Sequence, residues 1–161
     1  MVLAKFSGEV FTQFFENPVF LPAISSLLLA QLLKTIIYLL RAKRKNPKDT
    51  LELLIWRTGG MPSSHSAMVA AMTVSVAFSD GIDSNLFVVT LMLTLIVIRD
   101  SLGVRRSAGN QARVLNWLGR QISGKLALEY HPVKEVNGHS PLEVVVGAFL
   151  GIFIAAAFHF L

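Results

Sequence analysis

Cysteine is absent from this chain, and charged residues are scarce. Without cysteine there is no disulfide framework, no thiolate nucleophile and no metal site with thiolate ligands. Only 16% of the residues are charged, whereas soluble domains carry roughly a quarter. Hydrophobic residues make up 53% of the chain and the mean hydropathy is +0.56. The apolar residues form long blocks separated by charged loops, which favours an integral membrane protein over a soluble one.

The N-terminal segment is a poor match to a secretory signal peptide. The segment 1–17 has one lysine, two glutamates and no clean apolar stretch, unlike a cleavable signal peptide. Its phenylalanines, Phe6, Phe11, Phe14 and Phe15, predict an amphipathic helix on the membrane surface instead. The total of 161 residues predicts a single membrane-embedded domain over 1–161, with 1–17 as its interfacial segment.

Four apolar stretches are candidates for membrane-spanning helices. They cover residues 18–40, 64–78, 86–98 and 142–161. The second and third are short, and the turn "SDGIDSN" between them predicts two antiparallel helices. A fifth helical pattern, over 111–130, mixes apolar residues with Arg113, Arg120 and Lys125 and predicts an interfacial amphipathic helix. The predicted fold class is an all-α integral membrane bundle of about four spans plus this interfacial helix.

Basic residues are concentrated in two loops. The segments 41–57 and 99–140 hold 13 of the 15 lysines and arginines, whereas the turn at 79–85 has two aspartates and no base. The positive-inside rule then predicts that both basic segments are cytoplasmic and that the acidic turn and both termini are outside. The high isoelectric point reflects this topology, and no nucleic-acid-binding motif accompanies it.

This topology brings four polar segments to the cytoplasmic interface. They are Lys34 with Arg41 near the end of the first span, Gly59 to Ser66 before the second, "RDSLGVRRSAGNQ" (Arg99 to Gln111) after the third, and "NGHSPLE" (Asn137 to Glu143) before the fourth. We predict an ordered loop for Arg99 to Gln111, in which Asp100 pairs with an arginine. These segments are far apart in sequence, so their convergence predicts a site.

The residue types in this predicted site suit a phosphate. Lysine and arginine supply charge and hydrogen-bond donors, and a glycine-rich helix start supplies free backbone N–H groups. His65 and His139 are candidates for acid, base or nucleophile. Glu143 follows His139 by four residues, so on one helical face it can hold one imidazole nitrogen and leave the other free.

The order of these motifs resembles the type 2 phosphatidic acid phosphatase superfamily, which includes the vanadium haloperoxidases. "KTIIYLLR" matches the family's lysine and arginine with Lys34 and Arg41, and "PSSH" matches its Pro-Ser-Gly-His motif with His65. "HSPLE" gives His139 with Glu143 at the position of the family's aspartate. The resemblance extends from about Lys34 to Gly151.

Several positions depart from the family pattern. Ala42 replaces a proline, Ser64 replaces the motif glycine, and Pro132 and Val133 stand where the family has a serine and an arginine. The sequence therefore looks like the divergent membrane branch of the superfamily. Arg105 or Arg106 is our candidate for the missing arginine, with Arg99 as a weaker one.

The resemblance implies hydrolysis of a lipid phosphate or pyrophosphate without a metal or other cofactor. His139 would be the nucleophile that forms a phosphohistidine, Glu143 would orient it, and His65 would protonate the leaving oxygen. The phosphate would be bound by Lys34, Arg41, Gly60, Ser64 and Arg105 or Arg106. The implied partners are a lipid phosphate, such as an isoprenoid phosphate or phosphatidate, and the bilayer. The implied location is the bacterial plasma membrane.

Structural roles compete with these assignments. Ser63 or Ser64 caps a helix in either case, Lys34 and Arg41 would also suit the membrane boundary as snorkelling residues, and Gly147 with Gly151 predicts close helix packing. The alternative function is a non-catalytic membrane protein that binds or transports an anionic lipid through the same polar pocket.

Overall fold

Every regular element in the described part of the chain is helical. The structure is a computed structural model that describes residues 8–41, 60–126, 128–135 and 138–161. The elements are α1 (Gly8–Phe15), α2 (Phe20–Arg41), α3 (Ser64–Ser79), α4 (Asn85–Arg99), a π-helical turn (Asp100–Val104), α5 (Arg105–Leu126) and α6 (Pro141–Phe160). The predicted all-helical membrane bundle is confirmed. The basic residues at 43–57 and the first seven residues lie outside the described part.

Short polar side chains fix the starts of four helices. The Asn17 side-chain oxygen accepts the N–H groups of the first residues of α2. Ser63, Ser84 and Ser140 stand directly before α3, α4 and α6, and each side chain accepts a backbone N–H three residues later. Such caps satisfy donors that have no partner within the helix. The helices therefore begin within about two residues of the predicted positions.

Three helical segments are long and apolar enough to cross a membrane. They are Phe20–Leu40, the segment Asn85–Leu126 that includes α4, and Pro141–Phe160. The predicted second span, α3, has 16 residues, which is about 24 Å against a hydrocarbon core of about 30 Å. Three helical segments therefore meet the length of a span, and the second predicted span, α3, is a shorter apolar helix.

The short helix α3 lies at the centre of the bundle. It packs against α2, α4 and α6, and nine of its residues are buried. Most of these are alanine, serine or valine, and small side chains allow helix backbones to approach closely in a membrane. The central position explains how a helix of this length is accommodated among longer ones.

Two glycines of α6 set its distance from α3. A Cβ atom on Gly147 would overlap the Ser63 carbonyl, and one on Gly151 would overlap the Ala67 carbonyl. The backbones of the two helices are therefore in direct contact. The predicted close-packing role of this GxxxG pair is confirmed, and the contact holds the first turn of α3 against the first three turns of α6.

Residues 100–111 are helical, so the predicted ordered loop is wrong. The π-helical turn joins α4 to α5, and the helical segment runs without interruption from Asn85 to Leu126. Proline is absent from this segment, and a π-turn adds one residue per turn while keeping the backbone hydrogen-bonded. The helical stretch predicted for 111–130 thus begins earlier, at Arg105, and ends at Leu126.

Helix α5 leaves the bundle. Its principal contact with another described element is the π-turn, and Val114, Leu115, Leu118 and Ile122 are all exposed. Basic residues alternate with these apolar ones, and no acidic residue lies in the helix. This amphipathic pattern matches a helix at a membrane surface, and its place there stays a prediction.

One buried asparagine fastens the chain after α5 back onto that helix. The Asn116 amide donates to Val133 O and to the Glu135 carboxylate, at 2.9 and 2.8 Å. Its oxygen accepts from the Tyr130 hydroxyl and the Val133 N–H, at 2.6 and 2.9 Å. All the hydrogen-bonding capacity of an asparagine side chain is used. The segment that carries Pro132 and Val133 is therefore held against α5.

Candidate functional site

Four elements bring charged and imidazole groups together at one end of the bundle. His65, in the first turn of α3, lies within electrostatic range of Lys34, Asp100, Arg105 and His139. Lys34 in turn interacts with Glu143. We call this cluster, made of Lys34, His65, Arg105, His139 and Glu143, the histidine end. The packing of the helices thus brings together residues that are more than a hundred positions apart in the sequence, such as Lys34 and Glu143.

His139 is buried and held by a carboxylate. Its side chain is 5% exposed, and its Nδ1 lies 3.0 Å from Glu143 Oε2. A carboxylate only accepts hydrogen bonds, so the proton of the imidazole belongs on Nδ1, which leaves the lone pair of Nε2 free. The spacing of four residues, predicted from the sequence to bring these groups together, does so here.

Glu143 has its own supports. Its Oε2 also accepts the Ser140 N–H at 3.1 Å, while its backbone N–H donates to the Ser140 hydroxyl at 3.4 Å. This reciprocal pair is a capping box at the start of α6. Glu143 therefore fixes the helix start and orients His139 with the same carboxylate.

The backbone around His139 rests on the π-turn and α5. The His139 N–H donates to Ser101 O at 3.3 Å, and a Cβ on Gly138 would overlap the Arg106 backbone. This close approach requires glycine at position 138. The π-turn, predicted from the sequence as part of a loop, thus holds the backbone of His139, while Glu143 holds its imidazole.

The start of α3 is joined directly to α6. The Ser63 N–H donates to the Glu143 carbonyl at 2.9 Å, and the Ser63 hydroxyl caps α3 by accepting the Ser66 N–H. Ser63 is therefore the cap between the two serines considered, and Ser64 is buried at the first helical position. The N-terminus of a helix favours an anion through its free N–H groups and its dipole.

Lys34 and Gly60 lie against each other. Lys34 is 5% exposed, although it is a lysine within an apolar helix. Gly60 has φ +88°, a conformation that favours glycine. A Cβ on Gly60 would lie 3.6 Å from Lys34 Cγ, so the glycine backbone is packed along the aliphatic stem. The lysine side chain is therefore not snorkelling freely towards solvent.

The three candidate arginines have different surroundings. Arg105 Nε donates to Asp100 Oδ2 at 2.6 Å across the π-turn, and Arg105 also acts electrostatically on His65. Arg106 and Arg99 are exposed, and Arg106 contributes its backbone to the contact with Gly138. Arg41 is the last residue of α2, and its side chain lies outside the described part. The sequence predicts that Asp100 pairs with an arginine, and in the structure that arginine is Arg105.

Metal ligands are few in this region. Across residues 8–41, 60–126, 128–135 and 138–161, no group of three or more histidine, cysteine, aspartate or glutamate side chains could hold a metal ion. The two histidines of the site are accompanied instead by Lys34 and Arg105, whose positive charges are suited to an anion.

Sequence comparison identifies the family. The model of the Divergent PAP2 family matches residues 15–154, which include every member of the histidine end. The chain belongs to this family. It is also 33% identical over 153 residues to the membrane protein YuiD of Bacillus subtilis (strain 168), covering 83% of this chain and 89% of that protein. None of the solved structures is significantly similar to the chain.

Membership agrees with the resemblance found in the sequence and with the helical membrane bundle. The protein is an integral membrane protein of a phosphatase-related superfamily. Sequence reasoning missed three supports of the site: Ser101, Gly138 and the backbone of Ser63. Each acts through its backbone, and side-chain patterns carry little information about such contacts.

Proposed function

We propose that this Divergent PAP2 family protein hydrolyses a lipid phosphate or pyrophosphate through a phosphohistidine on His139. The observation that carries the proposal is the buried imidazole whose Nδ1 is held by Glu143 while His65, Lys34 and Arg105 lie at the same end. Oriented histidine and fixed positive charge are the two requirements of phosphoryl transfer to an imidazole.

In the first step, the Nε2 lone pair of His139 attacks phosphorus and an N–P bond forms. The bond between phosphorus and the leaving oxygen breaks, and its electron pair stays on that oxygen. His65 donates a proton to this oxygen. The Glu143 carboxylate stabilises the positive charge that develops on the imidazole, because it accepts the Nδ1–H hydrogen bond.

In the second step, water attacks the phosphohistidine. His65, now neutral, accepts a proton from the water as the O–P bond forms, and the N–P bond breaks to return the lone pair to His139. Inorganic phosphate leaves, and both histidines regain their starting protonation. The reaction consumes one water for each phosphate released, and it requires no oxidant or reductant.

The phosphoryl oxygens are bound by the positive end of the site. Lys34 and Arg105 supply charge, and the start of α3 at Ser64, with the Gly60 backbone, supplies N–H donors. Arg105 is preferred to Arg106 because it interacts with His65. Arg41 joins this set as a prediction from its seven-residue spacing to Lys34.

A lipid substrate is proposed because the site lies at one end of a membrane bundle. A headgroup phosphate at the bilayer surface can reach such a site while its chains stay among the helices. We further propose that the protein resides in a bacterial plasma membrane with the histidine end facing the cytoplasm, as the basic loops predict. Labelling tests this orientation: a cysteine introduced by Ser84→Cys should react with an impermeant maleimide in intact cells.

The test of function is phosphate release by purified protein in detergent, with EDTA and no added metal. The substrates are an isoprenoid pyrophosphate, an isoprenoid phosphate, phosphatidate and phosphatidylglycerol phosphate. His139→Ala and His65→Ala should each abolish release. His131→Ala is the matched control, because His131 is exposed in the segment after α5 and should retain full release. Equal activity of the His139 variant and the wild type would refute the proposal.

The alternative is binding or transport of an anionic lipid without turnover. One observation favours it: Val133 stands at the position of the superfamily's arginine and is held against α5 by Asn116. Under this alternative the wild type would bind a lipid phosphate, lose binding in Lys34→Ala, and release no phosphate from any substrate of the panel.

A further inference from the structure

A cavity lies at the opposite end of the bundle from the histidine end. It has a volume of about 400 Å³ and is formed by the start of α2 and the ends of α3 and α6. Its lining includes Glu16, Ser75, Phe78, Ser79, Phe158 and His159. Small-molecule sites have volumes of about 300–1,000 Å³ and combine an apolar wall with a few polar groups. The cavity therefore has the size and the composition of a binding site.

Ser75 gives this cavity an unpaired polar group. The residue is 4% exposed, and its hydroxyl makes no hydrogen bond within the described residues. Buried polar groups in proteins nearly always have a partner, and an unpaired one is costly. A hydroxyl in such a position beside a cavity indicates a ligand that completes its hydrogen bonding.

The charge of this end selects the sign of the ligand. Glu16 lines the cavity, and the ion pairs found among the described residues do not include it. Asp80 lies next to the cavity, because its carboxylate accepts a hydrogen bond from the hydroxyl of the lining residue Ser79 at 2.6 Å. The Ser79 oxygen keeps lone pairs that can accept a further hydrogen bond. Among the residues that the structure describes, the lining contains no lysine or arginine. A cation would find acceptors here, whereas an anion would be repelled by the carboxylates of Glu16 and Asp80.

Aromatic rings complete the surroundings. Phe78 and the His159 imidazole are stacked, with centroids 4.3 Å apart and planes inclined by 8°, and Phe158 lines the same cavity. Aromatic faces attract ammonium groups and shield them from water. Carboxylate, hydroxyl acceptors and aromatic rings together are the chemistry that recognises an organic ammonium ion.

We propose that this cavity binds an ammonium group, through the Glu16 carboxylate and the Ser75 hydroxyl. The group can belong to a free amine or to the headgroup of an aminophospholipid, since the cavity lies at an end of the membrane bundle. This inference is independent of the phosphatase proposal, because the cavity and the histidine end share no residue.

The test uses purified full-length protein in detergent and three probes. Native mass spectrometry measures retention of dioleoyl phosphatidylethanolamine and, for comparison, dioleoyl phosphatidylglycerol. Saturation-transfer NMR measures binding of free ethanolamine. We expect the ethanolamine lipid to be retained at least about tenfold more tightly than the glycerol lipid, as a charge-assisted hydrogen bond to the ammonium requires.

Two variants and one control locate the binding. Glu16→Gln should weaken ammonium binding about tenfold, and Ser75→Ala about fivefold. Glu129→Gln is the matched control, because this exposed carboxylate lies outside the cavity, and it should bind as the wild type does. Circular dichroism should show the same helix content for all the variants.

The outcomes separate the sources and decide the proposal. Binding of ethanolamine without preferential retention of the ethanolamine lipid would identify a free amine, and preferential retention of that lipid without binding of ethanolamine would identify a headgroup. Either result, lost in Glu16→Gln, supports the proposal. Equal retention of the two lipids together with no binding of ethanolamine, or undiminished binding by a folded Glu16→Gln protein, would overturn it.

Discussion

His139 and His159 lie at opposite ends of the same helix, α6, yet their partners differ completely. His139 precedes α6, is buried, and is held at Nδ1 by Glu143. His159 lies in the last turn of α6, and its ring is stacked on Phe78. At the first end the polar groups are paired with one another. At the second end Ser75 has no hydrogen-bond partner among the described residues.

The chemistry available to each imidazole is set by the groups that contact it. A carboxylate on one nitrogen fixes the tautomer and leaves the other nitrogen as a nucleophile or base. Stacking on a phenyl ring supplies packing but no proton partner. The two ends therefore predict separate responses: changes at the histidine end should affect phosphate chemistry, and changes at the other end should affect ammonium binding.

The largest expected effect comes from Glu143→Gln. An amide can present its NH₂ to Nδ1, which removes the preference for the tautomer with a free Nε2 and removes the compensating charge. We expect kcat for phosphate release to fall on the order of 10³-fold, with little change in KM. Glu143→Asp should recover part of the rate, because the carboxylate is retained.

The matched change for this prediction is Glu129→Gln. Glu129 is exposed, and its ion pair among the described residues is with His131 at 3.6 Å, so kcat should equal that of the wild type. A loss of similar size in both variants would mean that the effect of Glu143→Gln is not specific to the histidine end.

The next largest effect is expected at the contact between α3 and α6. Gly151→Ala places a Cβ against the Ala67 carbonyl, and overpacking of this kind should lower the free energy of unfolding by about 3 kcal/mol. Thermal unfolding in detergent measures the change. Gly124→Ala is the control: a Cβ there meets nothing within 4 Å, and alanine in an exposed helix should stabilise by about 1 kcal/mol. Equal shifts in the two variants would contradict the close α3–α6 contact.

A smaller effect is expected outside both ends, at Asn116→Ala. The variant loses four hydrogen bonds that hold residues 130–135 against α5, and we expect a cost of about 2 kcal/mol. Hydrogen exchange should accelerate at Val133, whose N–H donates to Asn116. The exposed Asn110 provides the control, since Asn110→Ala should leave the exchange of Val133 unchanged. Unchanged exchange in Asn116→Ala would show that other contacts hold this segment.

The smallest effect on stability is expected for Ser75→Ala. Its hydroxyl has no partner in the described residues, so its removal should change the free energy of unfolding by less than about 0.5 kcal/mol. Thr73→Val, two residues earlier in α3, breaks the 2.8 Å bond to Thr94 and should cost about 1 kcal/mol. A larger loss in Ser75→Ala than in Thr73→Val would indicate that Ser75 is paired within the protein.

Local patterns predicted the helix starts and the pairing of His139 with Glu143. Capping serines and a four-residue spacing act over one turn, so the sequence carries them directly. The continuous helix through Asp100–Val104 was missed, because glycines and charged residues are typical of loops as well as of exposed helices. The hydrogen bonds of Asn116 and the cavity lined by Ser75 depend on residues that are distant in sequence. Such contacts leave no local pattern from which a single sequence would predict them.

The central claim is that His139 carries the phosphoryl group. The most direct measurement is rapid quenching of the protein during turnover of a ³²P-labelled lipid pyrophosphate, followed by mass spectrometry of the labelled peptide. We expect a phosphate on His139 that survives alkali, is lost in acid, and is absent from His139→Ala. Turnover with no covalent phosphate on the wild-type protein, together with undiminished phosphate release by His139→Ala, would contradict it.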